Sequence, residues 1–270
     1  MTKLLLGKPV QEKIIESLKA SVSGSAQVPC LAIIQVGNNP RSVVYINAKK
    51  RFAEKVGAKV RHIHIEESVG QDMVLNFIKD CNDDPEIHGI IVQLPLPEGY
   101  SKELILGSIS PAKDVDGLTP GSKFTPATAL AVKHLLDFYE ISVSGKKVVV
   151  MGRSDLVGKP TAELLAKAGG DVEVVHSKTD SPEVVTSKAD VLVVAIGKPE
   201  LVSKKYLKEG QVVVDVGIHE APSGGLVGDV SRKDAEGLVE ALSPVPGGVG
   251  PLTVASLFEN VFVAWCNLLY

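Results

Sequence analysis

Cysteine is scarce in this 270-residue chain, which carries three: Cys30, Cys81 and Cys266. No two of them form a CxxC pair and one is left over, which excludes a disulfide framework and points to a reducing compartment. Neither sign of charge is in excess, since 29 Lys and Arg against 32 Asp and Glu give −3. A basic nucleic-acid binder is excluded, because neutralising phosphates needs a positive surplus. Long apolar runs are also missing. Strings such as Val148–Met151 are strand-sized, so no membrane span is expected. The opening Met1–Gly7 is too short for the apolar region of a secretory leader, and the chain is expected to be cytoplasmic. There is no internal repeat, no low-complexity tract and no His/Cys cluster with metal-ligand spacing, so no metal is expected. What is present is a globular balance, 44% hydrophobic and 23% charged, over a length that suits one large domain or two modest ones.

Val10, Ile14, Ile15 and Leu18 share one stripe behind Pro9, which predicts a first helix. Leu31–Val36 reads as a buried strand ended by Gly37-Asn38-Asn39-Pro40, followed by a helix over Ser42–Val56 that Gly57 stops. A strand at Val60–Ile65, a helix over Asp72–Cys81 and a strand at Gly89–Leu94 continue the alternation. Ser108–Pro126 carries Pro111, Pro120 and Pro126 without periodicity and is the expected domain boundary. A helix over Pro126–Tyr139 leads to strands at Lys147–Met151, Val172–Val175, Val191–Ala195 and Val212–Val216, with a helix over Lys159–Ala168. A Gly/Pro-rich loop, Pro244–Pro251, opens a last helix, Thr253–Leu269. Alternation of this kind predicts an α/β fold with parallel sheets.

The sharpest cofactor signal runs from Val148 to Pro160. A buried strand turns on Gly152 and feeds a helix at Gly158, whose free N–H groups are expected to hold a pyrophosphate. The next strand ends in His176-Ser177-Lys178-Thr179, with no carboxylate for a ribose. Together with Arg153, these donors favour a 2′-phosphate and hence NADP. Tyr45-x-x-x-Lys49 places a phenol and an amine on one helix face. Short-chain dehydrogenases use such a pair, but there it follows the glycine-rich turn, and here it precedes it. Gln93 is a polar residue in a strand expected to be buried, so it is either a satisfied core amide or a ligand contact. Asp114 and Asp116 could face a metal or read the N–H groups of a heterocycle, or simply close a turn. Asp215-Val216-Gly217-Ile218 ends a strand where glycine allows close approach to a cofactor.

Taken together, these strings and Pro244-Val245-Pro246-Gly247-Gly248-Val249-Gly250-Pro251 occur in an order that resembles the bifunctional methylenetetrahydrofolate dehydrogenase/methenyltetrahydrofolate cyclohydrolase family. The resemblance runs nearly end to end. It implies two three-layer α/β domains with a cleft between them. Residues 1–118 plus 252–270 would form a folate-binding catalytic domain, and 119–251 a Rossmann-like NADP-binding domain. It implies Lys49 as main catalytic residue, Tyr45 stacked on the folate, Gln93 supporting Lys49 and Asp116 gripping the pterin edge. Val92, Leu94 and the loop Pro246, Gly247, Gly248, Val249 and Gly250 would also meet the tetrahydrofolate substrate. NADP would contact Gly152, Arg153, Ser154, Val157, Gly158, His176, Ser177, Thr179 and Ile218. A homodimer is implied as well. The chain departs from the family pattern at Leu118–Thr125, a loop shorter by roughly nine residues. Rival readings are a dehydrogenase without hydrolysis, acting on a folate or a modified pterin, and a silent NADP-binding regulator.

Overall fold

A computed structural model of the chain describes residues 1–221 and 224–269. In chain order the elements are β1 (Lys3–Leu4), α1 (Gly7–Val22), β2 (Cys30–Val36), α2 (Pro40–Val56), β3 (Lys59–Ile65), α3 (Gln71–Asp83), β4 (Gly89–Val92) and α4 (Lys102–Gly107). The second half adds α5 (Ala127–Phe138), β5 (Lys147–Met151), α6 (Gly158–Lys167), β6 (Asp171–Val175), α7 (Pro182–Thr186), β7 (Val191–Val194) and β8 (Val212–Asp215). It ends with β9 (His219–Glu220), β10 (Leu226–Val227), α8 (Arg232–Ala235), β11 (Ala241–Leu242) and α9 (Gly250–Leu269). The chain divides into two compact units, one of residues 13–127 and 254–270, the other of 1–12 and 128–253.

The first unit is built on a parallel sheet in the order β3-β2-β4. Ala32, Ile34, Ile90 and Val92 pack on one face against Val74 and Ile78 of α3 and Ile105 of α4. Leu31, Ile33 and Ile91 alternate to the opposite face and are as fully buried. A parallel sheet buried on both faces needs such continuous apolar strands. Phe258 of α9 meets Phe52 of α2 with ring centroids 5.2 Å apart.

The second unit holds a six-stranded parallel sheet ordered β1-β11-β8-β7-β5-β6. From β5 the chain places β6 on one side and then β7 and β8 on the other. That reversal is a switch point, and ligands of open α/β sheets bind beyond the carboxyl ends of the strands there. The expected boundary of the catalytic domain at residue 1 is corrected here. Lys3 pairs with Ala241 and Leu4 with Leu242, so the amino terminus forms the edge of the six-stranded sheet. Two-residue strands are too short to display a period. Tyr270, at the far end of that expected domain, lies outside the described residues. Among the described residues no helix is long and apolar enough to cross a membrane.

Candidate active site

Helix α2 begins two residues earlier than its apolar pattern suggested because Asn39 caps it. The Asn39 Oδ1 accepts from the N–H groups of Arg41 and Ser42 at 3.0 and 3.4 Å, and Pro40 occupies a position where no donor is required. Tyr45, half exposed, and Lys49 follow one turn apart on one face. The neighbouring Lys50 turns elsewhere, its Nζ 3.0 Å from His62 Nδ1. Lys49 Nζ donates to Gln93 Oε1 at 2.8 Å, while Gln93 Nε2 donates to the Leu94 carbonyl at 2.8 Å. Gln93 stands one residue beyond β4, its N–H held by the Ile34 carbonyl of β2 at 2.8 Å. A strand end and a helix thus fix the amine from two sides. Val92, one residue earlier, points its side chain into the core and can meet a substrate only through its backbone.

The Lys113–Gly117 string separates into structural and available groups. Buried Lys113 donates from Nζ to the Cys81 and Asp84 carbonyls at 3.1 and 2.7 Å, closing the end of α3. Asp114 is buried, and its Oδ2 accepts from the Thr119 N–H at 2.8 Å and hydroxyl at 2.7 Å. Asp114 thus uses Oδ2 to close the turn to Thr119. Among the described residues no group of three or more His, Cys, Asp or Glu is placed to hold a metal ion. Asp116 is coupled electrostatically to Lys49. Burial pushes its carboxyl up from the ordinary aspartate value, against the pull of the Lys49 charge, and Asp114 adds to the rise. Burial likewise pushes the Lys49 amine down, with Asp116 opposing. Each partner is driven by desolvation towards its neutral form, which favours release of a proton from Lys49 Nζ.

In the other unit, β5 ends at the Gly152 turn. Gly152 has φ +124°, and a Cβ there would collide with the Ala195 carbonyl beyond β7; one on Gly158 would collide with the Gly152 carbonyl. Strand, turn and helix pack backbone to backbone, as a dinucleotide cradle requires. The expected free N–H groups at the start of α6 are not there. Gly158 N–H goes to Ser154 Oγ at 3.3 Å, Lys159 N–H to the Ser154 carbonyl at 3.1 Å and Thr161 N–H to the Val157 carbonyl at 3.0 Å, while Pro160 has none. An anion here would instead meet the exposed Arg153 side chain and the Ser154 hydroxyl, which accepts from Gly158 and keeps its own proton to donate. At the end of β6, His176 N–H goes to Thr179 Oγ1 at 3.0 Å and Lys178 N–H to His176 Nδ1 at 3.1 Å. His176 and Thr179 close the turn, leaving Ser177 and Lys178 exposed as donors. Ile218, beyond β8, is 45% exposed. The loop Pro246–Gly250 belongs to this unit, tied by Gly7 N–H to the Gly247 carbonyl at 2.8 Å.

A family model for the catalytic domain of tetrahydrofolate dehydrogenase/cyclohydrolase matches residues 5–116, and the model for its NAD(P)-binding domain matches residues 126–268. The chain belongs to the tetrahydrofolate dehydrogenase/cyclohydrolase family. It is 42% identical over 270 residues to the bifunctional protein FolD of Campylobacter jejuni, covering 95% of this chain and 96% of that one. The crystal structure of the Campylobacter jejuni bifunctional enzyme superposes with a TM-score of 0.96 at 41% identity, over 99% of each chain. The Trypanosoma brucei dehydrogenase-cyclohydrolase, solved with NADP cofactor and inhibitor, gives a TM-score of 0.91 at 32% identity over 98% of each.

In this member of the tetrahydrofolate dehydrogenase/cyclohydrolase family, the short loop after Asp116 has a support that the sequence reading missed. Buried Asn260 on α9 donates from Nδ2 to the Val115 and Thr125 carbonyls, each at 2.9 Å, drawing together both ends of the loop. No local spacing connects residue 260 to residues 115 and 125. Asn260→Ala should cost about 1–3 kcal/mol, because a buried and a partly buried carbonyl lose their donor. A thermal melt reads this directly, and an unchanged Tm would show that the loop ends stay together without Asn260.

Proposed function

We propose that Lys49, Gln93, Tyr45 and Asp116 carry the chemistry of a bifunctional enzyme that oxidises 5,10-methylenetetrahydrofolate with NADP⁺ and hydrolyses the 5,10-methenyl product to 10-formyltetrahydrofolate. The observation that carries this reading is the Lys49–Gln93 hydrogen bond at 2.8 Å beside a carboxyl coupled to the same amine. The nicotinamide, when bound, supplies the hydride acceptor. The close-packed Gly152 turn, with Arg153, Ser154, Val157 and Gly158, fits such a cofactor, and His176, Ser177, Thr179 and Ile218 complete its surroundings. Tyr45 presents a half-exposed ring one turn from Lys49, placed to stack on the pterin. Asp116 grips the amino-pyrimidine edge, where a carboxyl can meet two N–H groups side by side.

For hydrolysis, water must lose a proton as it adds to the methenyl carbon, and a ring nitrogen must gain one as the C–N bond breaks. Lys49 Nζ takes the first proton and delivers it to that nitrogen, and the remaining hydroxyl proton leaves to solvent as the formyl C=O forms, the one net proton released. Gln93 Oε1 holds one N–H of the amine, which restricts the directions open to the lone pair of the neutral form. A cationic folate beside the amine favours that neutral form further, by like-charge repulsion.

The test of the whole reading is a spectrophotometric assay: NADPH formation with methylenetetrahydrofolate, then decay of the methenyl absorbance. NADPH formation without decay would leave only the dehydrogenase, and neither signal would refute the proposal. For cofactor choice, Arg153→Ala should weaken NADP relative to NAD by about 1.5–3 kcal/mol, the worth of one charged phosphate contact. Equal efficiency of the unmodified chain with both cofactors would contradict it. The enzyme works in the cytoplasm as a homodimer, the commonest closed assembly, and a one-chain mass by light scattering would refute the dimer.

A further inference from the structure

Asp229 is completely buried, yet it takes no part in the chemistry above. Its Oδ2 accepts from the N–H groups of Ile196 and Gly197 at 2.7 and 3.0 Å. Its Oδ1 accepts from Lys198 N–H at 2.8 Å and faces His219 Nε2 at 2.7 Å. Four donors satisfy a carboxylate's full accepting capacity, and with three N–H groups already in place the ring supplies the fourth. Ile196–Lys198 follow β7, and His219 opens the segment after β8. One side chain therefore ties together the carboxyl ends of two adjacent strands.

The place matters, because β7 lies at the switch point beside β5. Ala195, next to the held residues, offers the carbonyl against which Gly152 packs. Gly217 passes so close that a Cβ there would collide with the Asp229 carboxyl, and the following residue is the exposed Ile218. Asp229 is itself held from below. Asp215 accepts from the N–H groups of Asp229 and Val230 at 3.0 and 2.9 Å, and desolvation, outweighing these bonds, leaves its carboxyl pushed up to about 7. Val202 N–H bonds the Asp229 carbonyl at 2.9 Å. Burying a carboxylate is costly unless its bonds fix something that packing alone would leave loose.

We infer that Asp229, through its bond to His219, is a positioning residue for the dinucleotide: it sets the 195–198 loop against the Gly152 turn and fixes where Ile218 projects. This rests on the reading that NADP occupies this unit. The test measures NADP binding by fluorescence titration, and KM for each substrate, in Asp229→Asn, His219→Leu and His219→Gln. Asp229→Asn and His219→Leu should raise the Kd for NADP about 10–100-fold, the effect of losing a bond to a charged group. KM for methylenetetrahydrofolate should stay within about two-fold, since Tyr45, Lys49, Gln93 and Asp116 lie in the other unit. His219→Gln, whose amide can still donate to Asp229, should bind NADP nearly as the unmodified chain does. If Asp229→Asn does not fold, the partly exposed His219 carries the comparison. Unchanged NADP affinity in folded Asp229→Asn or His219→Leu overturns the inference. So does an equal rise in both KM values, or a His219→Gln as weak as His219→Leu. Failure of the unmodified chain to bind NADP would overturn the cofactor reading and this inference with it.

Discussion

Lys49→Met should lower hydrolysis of methenyltetrahydrofolate by about 10²–10⁴-fold, the usual contribution of a positioned acid–base group. Methionine keeps much of the length and none of the proton chemistry. Hydride loss is driven by the substrate's own nitrogen lone pairs, so NADPH formation should fall less, through poorer orientation of the folate. The methenyl compound should therefore accumulate, visible as an absorbance that rises and persists. In the unmodified chain, the rising limb of the hydrolysis pH profile should lie below the ordinary lysine range, because burial lowers the Lys49 amine and the neutral form is the active one. Gln93 substitutions should act largely through the same amine, so their effects should not add to its loss. Near-normal hydrolysis by Lys49→Met would remove Lys49 from the proton-transfer role.

Gly152→Ala is expected to damage the dehydrogenase severely. At φ +124° an L side chain is strained by about 1–3 kcal/mol. The new Cβ would also meet the Ala195 carbonyl, which must give way at a further cost of about 1–3 kcal/mol. Movement at that carbonyl reaches the Ile196–Lys198 amides and opens the turn where Arg153 and Ser154 stand. The measurable outcome is a depressed Tm together with loss of NADP binding and NADPH formation. Hydrolysis should survive wherever the chain stays folded, since Lys49, Gln93 and Asp116 belong to the other compact unit. An alanine variant with undiminished NADP affinity would show that the turn tolerates the side chain and that the cradle lies elsewhere.

Long apolar strands and the sites adjoining them were legible from sequence because each carries its signal locally. The five residues Lys147–Met151 are the strand as expected, and Tyr45 and Lys49 share a helix face by spacing alone. Gln93 stood out as a polar residue at the end of an apolar run, and the structure connects it to Lys49. The start of α6 was misjudged although two of its residues held the answer: Pro160 has no N–H, and Ser154 folds back to use another. Asp229 and Asn260 could not be found this way. Their partners lie at 196–198 and 219, and at 115 and 125, distances along the chain that no periodicity encodes.

The pairing of Lys3 and Leu4 with Ala241 and Leu242 bears on how this protein is made and cut. The strand at Lys3–Leu4 cannot dock until Ala241 and Leu242 have been synthesised, so it waits for its partner through the translation of more than two hundred intervening residues. Closure over so long a separation is the kind of contact that slows folding. A gene fragment starting at residue 126, where the NAD(P)-binding match begins, would encode the sheet without its outer strand. Such a fragment would present the bare backbone of Ala241–Leu242 as an adhesive edge, inviting other chains to pair with it. Grafting residues 1–6 onto that fragment through a linker would restore the outer strand.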